Sequence, residues 1–345
     1  MPYPMRAKFG LSLSTRAVLF GWATLDDLLT AAQTAEASGY FDGIWVGDNL
    51  LSKPRAEALV TLSAIAARTQ RVRLGTICLA SFPLRDPILM ALQWASLDML
   101  SHGRTVLAVC IGGGHQDGPQ FTHELAIMGV QSHERVGRLL EGVTLLRRLW
   151  AEERVTHAGK YYRYTDVELL PKPVQQPMPI LIASNPKEDR VEPAVVDRIL
   201  RRVARYGDGW QTDATPVDTF RTRFDTIRTY AARQGRDVSQ FESCLHLMVN
   251  INNDREQAYR EATTFLTSYY GTGAISRERT ELWLAYGPPE AVIEKIHAYL
   301  DAGCTTPVLR FVAPNLHDQL QRCIAEVLPA FCPDAAPGRV PEFCG

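Results

Sequence analysis

The chain lacks the features that mark secreted, membrane-spanning and metal-binding proteins. Its seven cysteines include no CxxC pair and no Cys/His spacing of a metal site. No apolar run reaches the roughly 18 residues that a transmembrane helix needs, and the N-terminal segment MPYPMRAKFG has no signal-peptide core. These absences predict a soluble protein of the cytoplasm that keeps its thiols reduced, holds no metal and does not contact membranes.

An excess of charge of one sign is also missing. The 345 residues carry 37 Lys and Arg against 38 Asp and Glu, and the basic residues are scattered. This balance gives no positively charged patch of the kind that binds nucleic acid. A small organic molecule is therefore the expected partner.

The glycine signatures of nucleotide-binding loops are absent as well. The loop after Leu13 reads STRAVLFGW, and the cluster from Gly112 to Gly118 places its third glycine one residue too late for G-x-G-x-x-G. Alternating strands and helices would fit a doubly wound sheet as well as a barrel. Without the fingerprint, the barrel is favoured over a Rossmann fold.

What the chain does contain is a regular alternation of short apolar runs and amphipathic helices. The runs Val72–Leu79 and Thr105–Ile111 are apolar on both faces, as buried parallel strands are. We predict an α/β fold, a TIM (β/α)8 barrel with insertions, formed by residues 1–331 as one domain and followed by an extended tail over residues 332–345. The eight predicted strands lie at about residues 8–13, 43–46, 72–79, 105–111, 179–183, 209–212, 246–251 and 308–312.

Other segments have their own predictions. Helices are expected at about residues 25–38, 55–68 and 133–150, with a last one near 317–328. Residues 154–168 alternate around a central glycine, which predicts a short hairpin outside the barrel. Residues 269–285, rich in glycine and tyrosine, interrupt the alternation of strands and helices and are predicted to form an insertion or a mobile lid.

Several motifs, in their order and spacing, resemble those of the bacterial luciferase-like flavin-dependent oxidoreductases. The matching segments are GIWVGDNLLSKPR (43–55), ARTQRVRLGT (67–76), RDP (85–87), LDMLSHGR (97–104), HERVGRLLEGVTLLRRLW (133–150), GKYY (159–162), LLPKPVQQPMPILIAS (169–184), GDGW (207–210) and GPPEAVIEKIHAYLDAG (287–303). The resemblance implies a TIM barrel that binds FMN or the deazaflavin F420, and a homodimer.

The family resemblance leaves three functions open. The first expectation is a monooxygenase that uses reduced FMN and O2 on a small organic substrate, with a separate flavin reductase supplying the cofactor. The alternative is an F420-dependent dehydrogenase or reductase that transfers hydride. A third possibility, from another class, is a protein that binds flavin without turnover.

The resemblance and the local sequence together give the expected cofactor-binding residues. Ile77 and Cys78 stand where the family commonly has a non-proline cis peptide, and Cys110 matches a cysteine of the luciferase flavin pocket. Ser184 and Asn185 follow a strand and suit a phosphate, or else cap a helix. The full set is Ile77, Cys78, Cys110, Gly112, Gly113, Gly114, Ser184, Asn185 and Trp210.

The expected catalytic residues are Asp48, Asn49 and His115. Relatives often have an acidic residue followed by histidine at the end of the second strand, where this chain has Asp48 and Asn49. Asparagine transfers no proton at neutral pH, so that acid-base role has moved or is missing. His115, after the three glycines, is the replacement that the sequence suggests, although a solvated loop histidine fits the same position.

Overall fold

The described part of the chain, residues 7–187, 191–270 and 276–331 of a computed structural model, alternates strands with helices. Its strands are β1 (Phe9–Leu13), β2 (Phe41–Val46), β3 (Arg73–Thr76), β4 (Thr105–Val109), β5 (Val155–Ala158), β6 (Arg163–Val167), β7 (Ile180–Ala183), β8 (Gly209–Asp213), β9 (Glu242–Ile251), β10 (Leu284–Gly287) and β11 (Thr306–Phe311). Its α-helices are α1 (Leu25–Ser38), α2 (Ala58–Arg68), α3 (Pro87–Leu100), α4 (Pro119–Ile127), α5 (Arg135–Ala151), α6 (Pro193–Tyr206), α7 (Val217–Arg233), α8 (Arg255–Tyr270), α9 (Arg277–Trp283), α10 (Pro289–Asp301) and α11 (Leu316–Arg322).

Eight of the strands close into a parallel barrel. They pair in the order β1, β2, β3, β4, β7, β8, β9, β11, and β11 pairs back with β1. The predicted TIM barrel is therefore confirmed, and each of its eight strands overlaps a predicted one, although some of the bounds differ. Parallel pairing sends every carboxyl end to one rim of the barrel, so the loops that follow the strands meet there.

The barrel interior is filled by side chains that point inward from alternate positions. Trp45 on β2 is the largest of them and is 1% exposed. Glycines on the neighbouring strands make room for it, because a β-carbon at Gly75 or at Gly10 would overlap the Trp45 indole. The residues that pack with Trp45 are Ile77, Val106, Ala108, Leu181, Cys244 and Val308. The barrel is consequently solid below its carboxyl rim.

Two segments lie outside the barrel circuit. Strands β5 and β6 form an antiparallel pair, which confirms the predicted hairpin. Strand β10, which the sequence analysis did not predict, pairs in parallel with the last four residues of β9, beyond the stretch of β9 that pairs with β8. Helix α9 and β10 therefore occupy part of the region where an insertion or lid was expected, while residues 271–275 lie outside the described residues.

The remaining differences from the sequence predictions are local. Helix α4 lies in a segment for which no element was predicted. The last predicted helix is shorter as an α-helix, since α11 passes into a π-helical turn over Cys323–Val327. The predicted tail over residues 332–345 lies outside the described residues. In the ranges that the structure covers, no helix has the length and apolar character to cross a membrane.

Candidate active site

A cavity opens at the carboxyl ends of the barrel strands and consists of two chambers that share a wall. The first, named here the Ser184 chamber, has a volume of about 320 Å³. The second, the Arg310 chamber, has a volume of about 780 Å³. Active sites of such barrels lie at this rim. The residues common to both chambers are Ile77, Cys78, Cys110, Gly112, Asn185, Asp213 and His246.

The Ser184 chamber is apolar along one side and polar at one end. Ile182 from β7 and Ile199 from α6 line the apolar side, and Ser184 and Arg202 line the polar end. Burial lowers the pKa of Arg202, and the charged side chain that acts on it most strongly is another cation, Arg198. The polar end is therefore electropositive and suits an anionic group.

Trp210 supports the Ser184 chamber from behind. Its indole is fully buried on β8 and packs on Phe220, with 5.1 Å between the ring centroids. Trp210 Nε1 donates to the carbonyl oxygen of Ser184 at 3.0 Å and to Ser184 Oγ at 3.2 Å. Trp210 is not among the described lining residues, so the structure gives it a positioning role in place of the expected direct contact with a cofactor.

Asn185 joins the loops that follow β7 and β8. Its Nδ2 donates to Asp213 Oδ1 at 3.0 Å, and its Oδ1 accepts from Thr215 Oγ1 at 3.3 Å. The next α-helix, α6, begins only at Pro193. Ser184 and Asn185 therefore do not cap that helix, and both line the cavity.

Ile77, Cys78 and Cys110 form the floor that the two chambers share. The peptide bond between Ile77 and Cys78 is cis, as the resemblance implied. The sulfur atoms of Cys78 and Cys110 lie 2.6 Å apart, and both cysteines are free. The hydrogen bond with Cys110 and burial raise the pKa of the Cys78 thiol well above its usual value. Cys78 is therefore a neutral thiol at neutral pH.

Contacts with the protein explain the three consecutive glycines after β4. Gly112 has a positive φ of 67°, and a β-carbon there would lie 2.5 Å from the carbonyl oxygen of Ala80. A β-carbon at Gly113 would overlap the ring of Phe121, and one at Gly114 would overlap the guanidinium of Arg135. Gly112 and Gly113 line the cavity, whereas Gly114 is buried outside the described lining.

Asp48 and Asn49 both line the Arg310 chamber, but their polar atoms hold the surrounding loops. The Asp48 carboxylate accepts from the Ser81 N–H at 2.8 Å and from Arg85 Nη2 at 3.2 Å. Asn49 Oδ1 accepts from Arg55 Nη2 at 3.1 Å. Asn49 thus positions a cation instead of transferring a proton.

The histidine that faces the cavity is His246, not His115. His115 begins a one-turn 3₁₀ helix, His115–Asp117, that is held by a 2.8 Å bond from the Gly114 N–H to Asp117 Oδ2. This turn leaves the His115 side chain exposed and outside the described lining of both chambers. The neighbouring Gln116 and Asp117 do line the Arg310 chamber, and a catalytic role of His115 stays a prediction.

His246 lies inside the barrel wall on β9, two residues after the inward-facing Cys244. It is 7% exposed, and its Nε2 has no hydrogen-bond partner among the described residues. Burial, and then the charge of Arg310, lower the pKa of His246 well below its usual value. His246 is therefore neutral at neutral pH, with one ring nitrogen free to bond a ligand.

Sequence reasoning also missed the cations that line the cavity, which are Lys53, Arg55, Lys187, Arg202, Arg279 and Arg310. Arg310 carried the clearest signal, because it is a charged residue inside a predicted barrel strand, where apolar residues are the rule. His246 carried a similar signal, but its strand was predicted to begin at His246 itself. β9 in fact starts at Glu242, which places His246 well inside the barrel wall.

Comparison with known proteins agrees with this geometry. A family profile described as luciferase-like monooxygenase matches residues 6–306. An F420-dependent glucose-6-phosphate dehydrogenase of Nakamurella multipartita is 31% identical, and the alignment covers 94% of each chain. A solved F420-dependent secondary alcohol dehydrogenase, bound to an F420-acetone adduct, superposes with a TM-score of 0.77 at 20% identity, covering 95% of this chain and 99% of that one. The monooxygenase RslO1 from Streptomyces bottropensis gives 0.76 at 20% identity, covering 94% and 99%.

The family profile and the relative from Nakamurella multipartita identify an oxidoreductase, and the structure gives it an α/β barrel with a cavity at the carboxyl rim. The chain belongs to the luciferase-like monooxygenase family, and it is an enzyme of that family. The two structural neighbours are too distant in sequence to show more than the shared fold.

Proposed function

We propose that this enzyme is an F420-dependent dehydrogenase that transfers hydride between the deazaflavin and a small organic substrate. The observation that carries the proposal is the relative from Nakamurella multipartita, which is F420-dependent and aligns over 94% of both chains. The proposal favours F420, the alternative cofactor of the sequence analysis, over FMN and oxygen chemistry.

The Ser184 chamber fits such a cofactor. A deazaflavin has a flat ring system, a polyol chain and a phosphate. The chamber offers an apolar wall with Ile182 and Ile199, and an electropositive end with Ser184 and Arg202. Gly112 also brings its backbone to the wall without a side chain in the way. Ser184, Asn185 and Arg202 would hold the phosphate, and the isoleucines would contact the ring.

The reaction assigned to this site needs binding, orientation and a route for the one proton that accompanies the hydride, which would exchange with solvent at the open rim of the cavity. F420, when bound, supplies the acceptor or donor of hydride. Ile77, Ile182 and Ile199 keep water from the ring. His246 Nε2, neutral and without a partner among the described residues, bonds a polar atom of the substrate and holds it at the shared wall of the two chambers.

The cofactor assignment is tested by equilibrium binding under anaerobic conditions. Tryptophan fluorescence titrations with F420 and with FMN should show tighter binding of F420. Arg202→Gln should weaken F420 binding by about tenfold to a hundredfold, the range for the loss of one charge-assisted hydrogen bond. Arg163→Gln is the control, because Arg163 lies exposed on the β5–β6 hairpin. FMN binding with substrate-dependent oxygen uptake, and no F420 binding, would overturn the proposal.

The two histidines provide a second test in a matched pair of variants. His246→Asn should lower turnover with F420 about tenfold, the effect of losing one hydrogen bond to substrate, whereas His115→Asn should leave turnover within about twofold. Because the pKa of His246 lies well below the usual histidine range, wild-type turnover should show no step from this residue between about pH 6 and 8. Steady-state rates at several pH values check both statements. A loss of activity in the His115 variant alone would support the role that the sequence suggested.

A further inference from the structure

Among the described residues, five cationic ones line the Arg310 chamber, Lys53, Arg55, Lys187, Arg279 and Arg310, and three of them lie close together. Arg310 points inward from β11 and is 3% exposed, and Arg55 and Lys53 reach the chamber from the loop between β2 and α2. Gly47 permits the approach, because a β-carbon there would lie 2.7 Å from Arg55 Nη1 and 3.7 Å from Arg310 Nη2. The three residues are called the cation cluster below.

The side chains and carbonyl that directly contact the cation cluster are uncharged. Arg55 donates to Asn49 Oδ1 at 3.1 Å, to the Lys53 carbonyl oxygen at 3.0 Å and to the Tyr269 hydroxyl at 3.3 Å. The Lys53 ammonium lies 4.7 Å from the centre of the Tyr270 ring, and the Arg310 guanidinium lies 4.8 Å from that of Tyr269. The cluster is thus held in place by uncharged partners.

Carboxylates do not neutralise the cluster in the described part of the chain. Three carboxylates also line the chamber: Asp48 pairs with Arg85, whereas Asp117 and Asp213 keep their negative charge but form no ion pair with the cluster among the described residues. Within residues 7–187, 191–270 and 276–331, none of the three cations has an ion pair, and Arg310 Nε has no hydrogen-bond partner. Buried charge without a counter-charge is costly, which indicates that the counter-charge comes with a ligand.

Neighbouring ionisable groups respond to the same positive field. Burial, together with the charge of Arg55, lowers the pKa of Lys53 to about 8. Burial raises the pKa of the Tyr269 phenol, but Arg310, Arg55 and Lys53 outweigh burial, and this pKa lies below its usual value. Any anion entering the chamber is attracted by the same field.

We propose that the cation cluster binds the anionic group of the substrate, the oxygens of a carboxylate or a phosphate ester. The planar arginine forks suit two such oxygens at once. The shared wall with His246 then places the remainder of the substrate beside the Ser184 chamber. This assignment rests on the proposed function, since it takes the Ser184 chamber as the cofactor site and the Arg310 chamber as the substrate site.

The test is anion binding by the intact protein without cofactor. Calorimetric titrations with inorganic phosphate and with acetate, in a buffer of weakly binding anions, should show saturable binding of at least one of them and identify which oxyanion is preferred. Arg310→Gln and Arg55→Gln should each weaken this binding at least tenfold, while Arg163→Gln should not. Thermal unfolding of each variant verifies folding, and the two cluster variants ensure that one misfolded protein does not decide the result.

The outcomes separate this inference from the proposed function. No saturable binding to the wild-type protein, or equal binding to both cluster variants, would overturn the anion site whatever the cofactor. Titration of F420 into the same proteins provides the second arm. If Arg310→Gln weakens F420 as strongly as it weakens phosphate, the cluster serves the cofactor and the substrate assignment is wrong. If F420 affinity is unchanged and phosphate or acetate affinity falls, the assignment is supported.

Discussion

Trp45→Ala is expected to destabilise the protein by about 3–5 kcal/mol, the usual cost of removing a large aromatic side chain from a core. The indole is 1% exposed and fills the barrel below the cavity. The neighbours that face it include Gly10 and Gly75, which have no side chains to move into the space. The void would therefore persist. Urea unfolding monitored by far-ultraviolet circular dichroism measures the loss.

Trp22→Ala is the matched control for this variant. Trp22 is 37% exposed, and its ring lies 4.7 Å from that of Phe265. It therefore loses a contact without opening a void in the barrel. We expect a clearly smaller loss of unfolding free energy for Trp22→Ala than for Trp45→Ala. Equal losses in the two variants would contradict the view that Trp45 supports the barrel from within.

Glu242→Ala is expected to cost about 1.5–3 kcal/mol at neutral pH, because it removes the carboxylate that accepts charge-assisted hydrogen bonds from two partly exposed cations. Glu242 begins β9 and accepts from Arg73 Nη1 at 2.7 Å, from Arg73 Nη2 at 3.1 Å and from Lys8 Nζ at 3.1 Å. The carboxylate side chain is 13% exposed. A control is Glu152→Ala, which breaks an exposed ion pair with Arg148 on α5 and should change stability by about 1 kcal/mol at most.

The effect of Glu242 should depend on pH with a defined sign. Burial raises the pKa of this carboxyl, but Arg73 and Lys8 outweigh burial, and the folded-state pKa lies below the usual value. The carboxyl group of a glutamate in the unfolded chain has a pKa of about 4.3. The stabilisation is therefore complete above about pH 5 and disappears as the pH falls through the folded-state pKa. Unfolding curves of wild type and Glu242→Ala should converge toward acid pH; a constant difference would show that the cost comes from packing.

The sequence predicted the barrel well because its strands are short, apolar on both faces and separated by amphipathic helices. This local hydrophobic pattern alone is enough to predict β3, β4 and β7. It fails for β10, a four-residue strand that pairs with the end of β9 and lies outside the barrel circuit. A strand that depends on a distant partner leaves little periodic signal of its own.

The site was predictable only where the family resemblance gave a position. Ile77, Cys78, Cys110, Gly112, Ser184 and Asn185 all line the cavity, and those positions came from matched motifs or from the end of a strand. His115 is not among the described residues that line the cavity, because a single turn decides which way a loop side chain points. The convergence of Arg310 with Arg55 joins positions 255 residues apart in the chain (310 minus 55), which no local pattern reveals.

The Trp45 side chain, which fills the barrel below the cavity, also limits where molecules can enter and leave the enzyme. Because the barrel is filled beneath Ile77, the cavity formed by the described residues opens toward the carboxyl rim and not through the barrel. Substrate and product must use the same rim, so a product held there obstructs the next substrate.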